Sequence, residues 1–363
     1  MTRTAPAWQL LLAFVLSLAV LCGLIGWLQN VHIISSNGMY KSIQAEPWIE
    51  SPSTARLDPS NYLFFPLYGV SARLLDALGI LAGLGIRCTV HAENTPILAW
   101  RGAKLKAAGR HDLAAHLEQH ADIATVEAVS RIALFAEWTG CPVHIAHENC
   151  RHSLPLIAAA KRRGVDITAE TCPHYLYLSM EDAPRVGDLA LRVKPPVREA
   201  GHAGPLWDAL ASGVIDMIST DHAPHAPAEK RRGSIWDVAP GFPGVETSMR
   251  LMLTAVNDGR ITLPDYVRMA CAAPARAFGL FPQKGTLQPG ADADLVVIDM
   301  NREGVIRGED LHSLGNVTPF EGFRPRGLPV MTVLRGQLVA TEGLIVAAAG
   351  IGRPVRARRL RAG

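Results

Sequence analysis

The chain lacks most of the short signals that assign a protein of 363 residues to a class. It contains no G-x-x-x-x-G-K-[ST] loop and no G-x-G-x-x-G opening a helix after a strand, so neither common phosphate cradle is present. No G-x-S-x-G elbow occurs, which removes the usual serine-hydrolase nucleophile. The six cysteines, Cys22, Cys88, Cys141, Cys150, Cys172 and Cys271, include no C-x-x-C pair. In a chain of this length they read as buried free thiols, not as a disulfide framework or a zinc ribbon. Charge of either sign is also scarce: 36 basic and 33 acidic residues leave a net +3, too little for a nucleic-acid surface. The tryptophans Trp100, Trp138, Trp207 and Trp236 stand singly, with no stacking platform. Hydrophobic residues at 48% and charged residues at 19% exclude a disordered chain.

What the sequence has in excess is one apolar run. From Leu10 to Leu28 no residue is charged, and Trp8 and Trp27 flank the stretch as aromatics flank a bilayer core. At 1.5 Å per residue such a run spans roughly the 30 Å hydrocarbon thickness. It predicts a transmembrane signal anchor over residues 1–30 and a single-pass membrane location. Arg3 before the run and Lys41 after it set the N-terminus inside and the rest outside. Residues 31–74 are rich in Pro, Ser and aromatics without a sustained period, and predict an irregular linker. Residues 346–363 form an Arg-rich tail, read as a solvated end.

From about Leu74 the pattern becomes helix, then short apolar strand, then a polar residue. LLDALGILAGLG precedes IRCTVHAEN, DIATVEAVSRIALFAEWTG precedes CPVHIAH, SLPLIAAAKRRG precedes VDITAETCPHYL, and PLWDALASG precedes VIDMISTDHAPH. In the second of these helices Ile123, Val126, Ile132 and Phe135 fall near one face. Strands alternating with helices of this size predict parallel βα units of an α/β barrel, whose chemistry sits at the C-terminal strand ends. His91, His147 and Asp221 each close such a strand. Two imidazoles and a carboxylate suit Zn²⁺, and the carboxylate can also take a proton from water. His144 lies on the strand itself, so His147 at the loop end is the better candidate.

HIAHEN, TAETCPHYL, RVKPPVR, STDHAPH followed by EK, and GFPGVET occur here in one order. In that order and spacing they resemble the cyclic amidohydrolases, the branch holding dihydroorotase, allantoinase and the dihydropyrimidinase/hydantoinase group. GTLQPGADADLVVIDM and TPFEGFRPRGLPVMTVLRGQLV resemble the C-terminal β-sandwich segment of that family. The resemblance implies a (β/α)8 TIM-type barrel over 75–282 and a β-sandwich remnant over 283–345. It implies His91 and His147 as ligands of one zinc ion, and Asp221 as ligand of a second and as general base and acid. Lys194, His225, Pro240 and Gly241 fall at substrate-contacting positions, with Lys194 where dihydroorotases carry Asn. Glu170 and His174 read as structural.

Two departures stand out. No H-x-H occurs anywhere, and no Lys or Asp stands in a matching setting before the HAEN strand; Lys41 and Asp58 are the nearest. The expectation is therefore an incomplete barrel lacking strands 1–3, joined to foreign sequence between about Gly69 and Ala82, with one zinc ion or none. Its open edges call for a homo-oligomer or a covering partner. The expected function is zinc-dependent hydrolysis of a small cyclic amide, dihydroorotase-like first. Allantoinase or hydantoinase is the alternative, and a catalytically silent membrane-tethered homologue or fusion remnant is the third.

Overall fold

The computed structural model describes residues 65–230 and 233–357. Its first element, α1 (Phe65–Leu84), begins inside the stretch expected to be an irregular linker. Pro66 does not prevent this, because a proline in the first turn removes no intrahelical bond. The apolar run Leu10–Leu28 lies outside the described residues. Among those that are described, no helix is long and apolar enough to cross a membrane.

After α1 the chain forms four short strands: β1 (Cys88–Val90), β2 (Val143–Ile145), β3 (Ile167–Thr171) and β4 (Met217–Ile218). They pair in the order β1-β2-β3-β4, all parallel, with Cys88 opposite Val143, Val143 opposite Ile167 and Glu170 opposite Met217. A barrel lacking its first three strands would keep five; among the described residues the parallel sheet has four, because a helix and no strand precedes β1. Helices α2 (Asp122–Thr139), α3 (Leu154–Arg162) and α4 (Ala203–Ser212) fill the connections. Connections of this size are what parallel pairing demands.

Burial follows from the sheet having helices against it. Val143, His144 and Ile145 are all buried, as in a parallel strand covered on both faces. Leu78, Val129, Ile132, Ile145, Ile157 and Ile167 form one core cluster between α1, α2, α3 and the sheet. On α2 the inward stripe is Ala124, Thr125, Val129, Ile132, Ala133 and Ala136. Ile123, expected on that face, is instead 56% exposed: one residue before Ala124 is about 100° around the helix. The expected strand VDITAETCPHYL also stops early, at Thr171. Pro173 then opens the short helix Pro173–Tyr177, where its fixed φ suits the first turn.

The chain then runs through α5 (Val245–Asn257) to a separate antiparallel sheet: β5 (Leu295–Glu303), β6 (Arg326–Leu334), β7 (Gln337–Thr341) and β8 (Leu344–Ile345). This second sheet packs against α5 through β6; Gly327, for instance, sits so close to Leu253 that a Cβ there would lie 2.9 Å from it.

Candidate active site

Each of β1, β2 and β4 ends one to three residues before a candidate ligand. His91 follows Val90 directly, His147 lies two residues past Ile145, and Asp221 three past Ile218. His147 and Asp221 both have positive φ, 39° and 44°. Non-glycine residues seldom adopt this left-handed conformation, Asp and His more readily than most, and such positions gather at functional sites. Here it bends the chain sharply at the strand end.

The structure brings His91 and His147 together. His91 Nδ1 lies 3.0 Å from His147 Nε2, and the rings meet edge-to-face at 4.6 Å. The other nitrogen of His91, Nε2, is 2.8 Å from Glu93 Oε2, and the second oxygen of Glu93 is 2.8 Å from His120 Nδ1. Glu93 is buried, which alone would raise its carboxyl. Hydrogen bonds from His120 and His91 overcome that and hold it well below the usual carboxylate range. His120 in turn meets His116 edge-to-face at 4.6 Å, and His116 Nε2–H donates to Val193 O at 2.9 Å. A chain of contacts thus runs from the strand ends to the segment carrying Lys194.

Electrostatics set the charge states. Burial, with the adjoining His91, lowers His147 to about 3, so the imidazole is neutral and can offer a lone pair. Burial raises the Asp221 carboxyl; Glu170 adds to this, and His91 opposes it. Glu170 itself lies in the same mouth. Its Oε1 accepts the His147 backbone N–H at 3.4 Å, and Oε2 is 3.1 Å from His144 Nε2. His144 is fully buried on β2 and also bonds Thr168 Oγ1 at 2.9 Å, so it braces the sheet.

The donor set fits part of a metal centre. Ligand nitrogens of one tetrahedral zinc ion, each about 2.0–2.1 Å from it, lie roughly 3.3 Å apart. The His91–His147 spacing is close to that, and the Glu93 bond behind His91 is the carboxylate–histidine arrangement that orients a metal ligand. Asp221 does not complete a three-atom cluster with them. Among the described residues the group whose ligand atoms all lie within 4.8 Å of one another is Asp122, Cys150 and His202.

The substrate candidates sit in two loops. Lys194 is exposed, at a cis bond to Pro195. His225 Nε2–H donates to Pro240 O at 3.0 Å. Gly241 has φ 119°, and a Cβ there would lie 2.5 Å from Ala223 Cβ, so only glycine fits. Its N–H donates to Arg192 O at 2.8 Å. Sequence reasoning passed over Glu93, His120 and Lys230. Glu93 stands two residues after His91 in HAEN, and Lys230 is the final residue of the EK that follows STDHAPH.

Comparison with known proteins places the chain as a whole. Residues 69–339 match the family model described as "Amidohydrolase family". The chain is 36% identical over 292 residues to an L-hydantoinase of Paenarthrobacter aurescens, covering 80% of this chain and 64% of that one. It is 35% identical over 287 residues to an allantoinase of Rubrobacter xylanophilus, covering 79% and 63%. The solved L-hydantoinase (dihydropyrimidinase) from Arthrobacter aurescens superposes with a TM-score of 0.76 at 36% identity, over 78% of this chain and 63% of that one. The D-hydantoinase (dihydropyrimidinase) from Thermus sp. gives 0.77 at 32% identity, over 80% and 64%. The chain therefore spans a little under two thirds of the length of these relatives. With four βα units, histidines meeting at their strand ends and a family match over most of its length, this chain belongs to the amidohydrolase family.

Proposed function

We propose that this chain is a metal-dependent hydrolase that opens cyclic amides, of the hydantoinase and allantoinase kind. The observation that carries the reading is the 3.0 Å approach of His91 and His147 at adjacent strand ends, backed by the buried Glu93. A bound divalent ion such as Zn²⁺ would supply Lewis acidity to a ring carbonyl and to water. His91 and His147 would hold it, and Glu93 would keep the His91 ring oriented. Asp221, its carboxyl raised by burial, would take the proton from water and return it to the leaving ring nitrogen. His225, the Pro240–Gly241 backbone and Lys194 would meet the polar edges of the ring.

The relatives support hydantoin-type rings over dihydroorotate, and so favour the alternative reading of the sequence over the dihydroorotase-like one. Lys194, where dihydroorotases carry Asn, points the same way. The sequence has no H-x-H, so the expected stoichiometry is one ion, not the pair that the family resemblance implies. The same absence favours a second reading, a homologue that keeps the fold without turnover. One experiment separates the two. The full chain is purified in detergent, its metal is measured per chain, and hydantoin, allantoin, dihydrouracil and dihydroorotate are assayed for ring opening. One zinc with hydrolysis of hydantoin or allantoin upholds the first reading. No metal and no ring opening leaves the second.

A further inference from the structure

Lys230 takes no part in the chemistry above, yet it is the most enclosed lysine in the described chain, 2% exposed. No carboxylate pairs with it among the described residues. Its ammonium donates instead to three backbone carbonyls: Gly241 O at 2.8 Å, Arg192 O at 3.1 Å and Ala239 O at 3.1 Å. An ammonium has three N–H bonds, so every donor is used. The neighbouring carbonyls are held from the same segment, Pro240 O by His225 Nε2–H at 3.0 Å and Phe242 O by Ala223 N–H at 3.2 Å. Arg192 O accepts from both Lys230 and the Gly241 N–H. Lys230 is thus bonded at once to the loop carrying Lys194 and to the loop carrying Pro240 and Gly241.

We propose that Lys230 is a positioning residue whose ammonium sets the spacing of these two loops, and with it the width of the substrate end of the site. Its kinetic consequence rests on the proposed function; the clamp itself is a property of the folded chain. The charged groups facing it are few. Arg192 stands on the opposite loop with Asp237 acting on that guanidinium, while His225 and Glu229 share its own segment. Burial, with the Arg192 charge second, lowers Lys230 to about 8. A neutral amine keeps two N–H donors for three carbonyls, so rising alkalinity frees one of them.

The test uses Lys230→Met, which removes the donors, and Lys230→Arg, which keeps the charge. Losing the clamp leaves buried carbonyls unpaired, which predicts exchange of the Gly241 amide about tenfold faster in the methionine variant. KM for the best cyclic amide is expected to rise by about the same factor with kcat within roughly twofold, and arginine to restore part of it. Exchange in α2 should not change. Should the methionine variant fail to fold, the wild-type chain decides: raising pH from about 7 to about 9.5 should loosen Gly241 beyond the intrinsic rise in exchange. Gly241 exchange that is insensitive to both the substitution and pH overturns the proposal. A loosened loop with unchanged KM overturns its claim on the site's width. If the wild-type chain opens no cyclic amide, the proposed function falls, while the exchange measurement still decides the clamp.

Discussion

Two histidine clusters lie beside the parallel sheet, and they differ in what each leaves over. His91 and His147 face each other nitrogen to nitrogen, with no carboxylate between them and the His91 side chain 45% exposed. His152 and His202, rings perpendicular at 5.9 Å, instead surround Asp122 beside a cavity of about 600 Å³. There both carboxylate oxygens of Asp122 are engaged. Asp122 Oδ1 accepts from Arg198 at 2.6 Å, and Oδ2 is 2.6 Å from His152 Nδ1. His202 Nδ1 accepts the Arg151 backbone N–H, which leaves its proton on Nε2, 3.7 Å from Asp122. Burial pushes the Cys150 thiol up to about 12, and the buried Arg198 guanidinium repels any cation. Asp122, Cys150 and His202 gather closely enough to hold an ion, but their hydrogen bonds make them a structural joint. The contrast teaches that a ligand site is marked by nitrogens that meet only each other, not by a count of ligand-type residues.

The sharpest way to break this contrast is to remove His147. His147→Ala deletes one of the two converging nitrogens and should reduce zinc retained after dialysis to background. Retention of a full ion, measured by elemental analysis, would move the metal site elsewhere. Arg198→Met comes next and acts only on stability. Arg198 also donates to His120 O, Asn149 Oδ1 and Thr125 Oγ1. Its loss takes the donor from the half-buried Asp122 Oδ1 and from the buried His120 O, Asn149 Oδ1 and Thr125 Oγ1, a change expected to cost about 3 kcal/mol, to be read by denaturant unfolding. Glu93→Gln is smaller: it weakens the support behind His91 without touching the ligand nitrogen, and should lower zinc affinity about 10–100-fold by chelator competition. An unchanged affinity would make Glu93 a fold residue only.

The fold and the site were readable to different depths. His91, His147 and Asp221 could be placed because short apolar runs end in them, and parallel βα units bring such ends to one side. Which partners meet there could not. Glu93 is reached only because the chain has left β1, so the alternation that rules a strand no longer says where it points. The positive φ of His147 and Asp221 leaves only a weak residue signature: neither position is glycine, although His and Asp enter that region more readily than most residues. Lys230 ran against the general rule that lysine stays exposed. Only the carbonyls of Ala239 and Gly241, from the loop that follows, and of Arg192, from a distant one, make its burial tolerable. Ile123 failed by one position on a helix that is apolar on more than one side, and Phe65–Leu74 by a proline that a first turn accepts.

The finest test of the contrast is pH. Burial by itself would raise the Asp122 carboxyl, but Arg198 first, then the hydrogen bond from His152 and the charge of His202, hold it below its ordinary value of 3.8. The folded state therefore binds fewer protons than the unfolded state just below that value. The stabilisation from Asp122 is fully present above pH 3.8 and is lost as pH falls through the lower folded value. Asp122→Asn keeps the shape and an acceptor oxygen, and should cost about 1 kcal/mol at neutral pH. It should also flatten part of the acid limb of a melting-temperature profile. With its carboxylate oxygens committed to Arg198 and His152, the joint is expected to bind no zinc, and zinc content should stay at the wild-type level. An Asp122→Asn chain that loses zinc as His147→Ala does would erase the distinction between the two clusters.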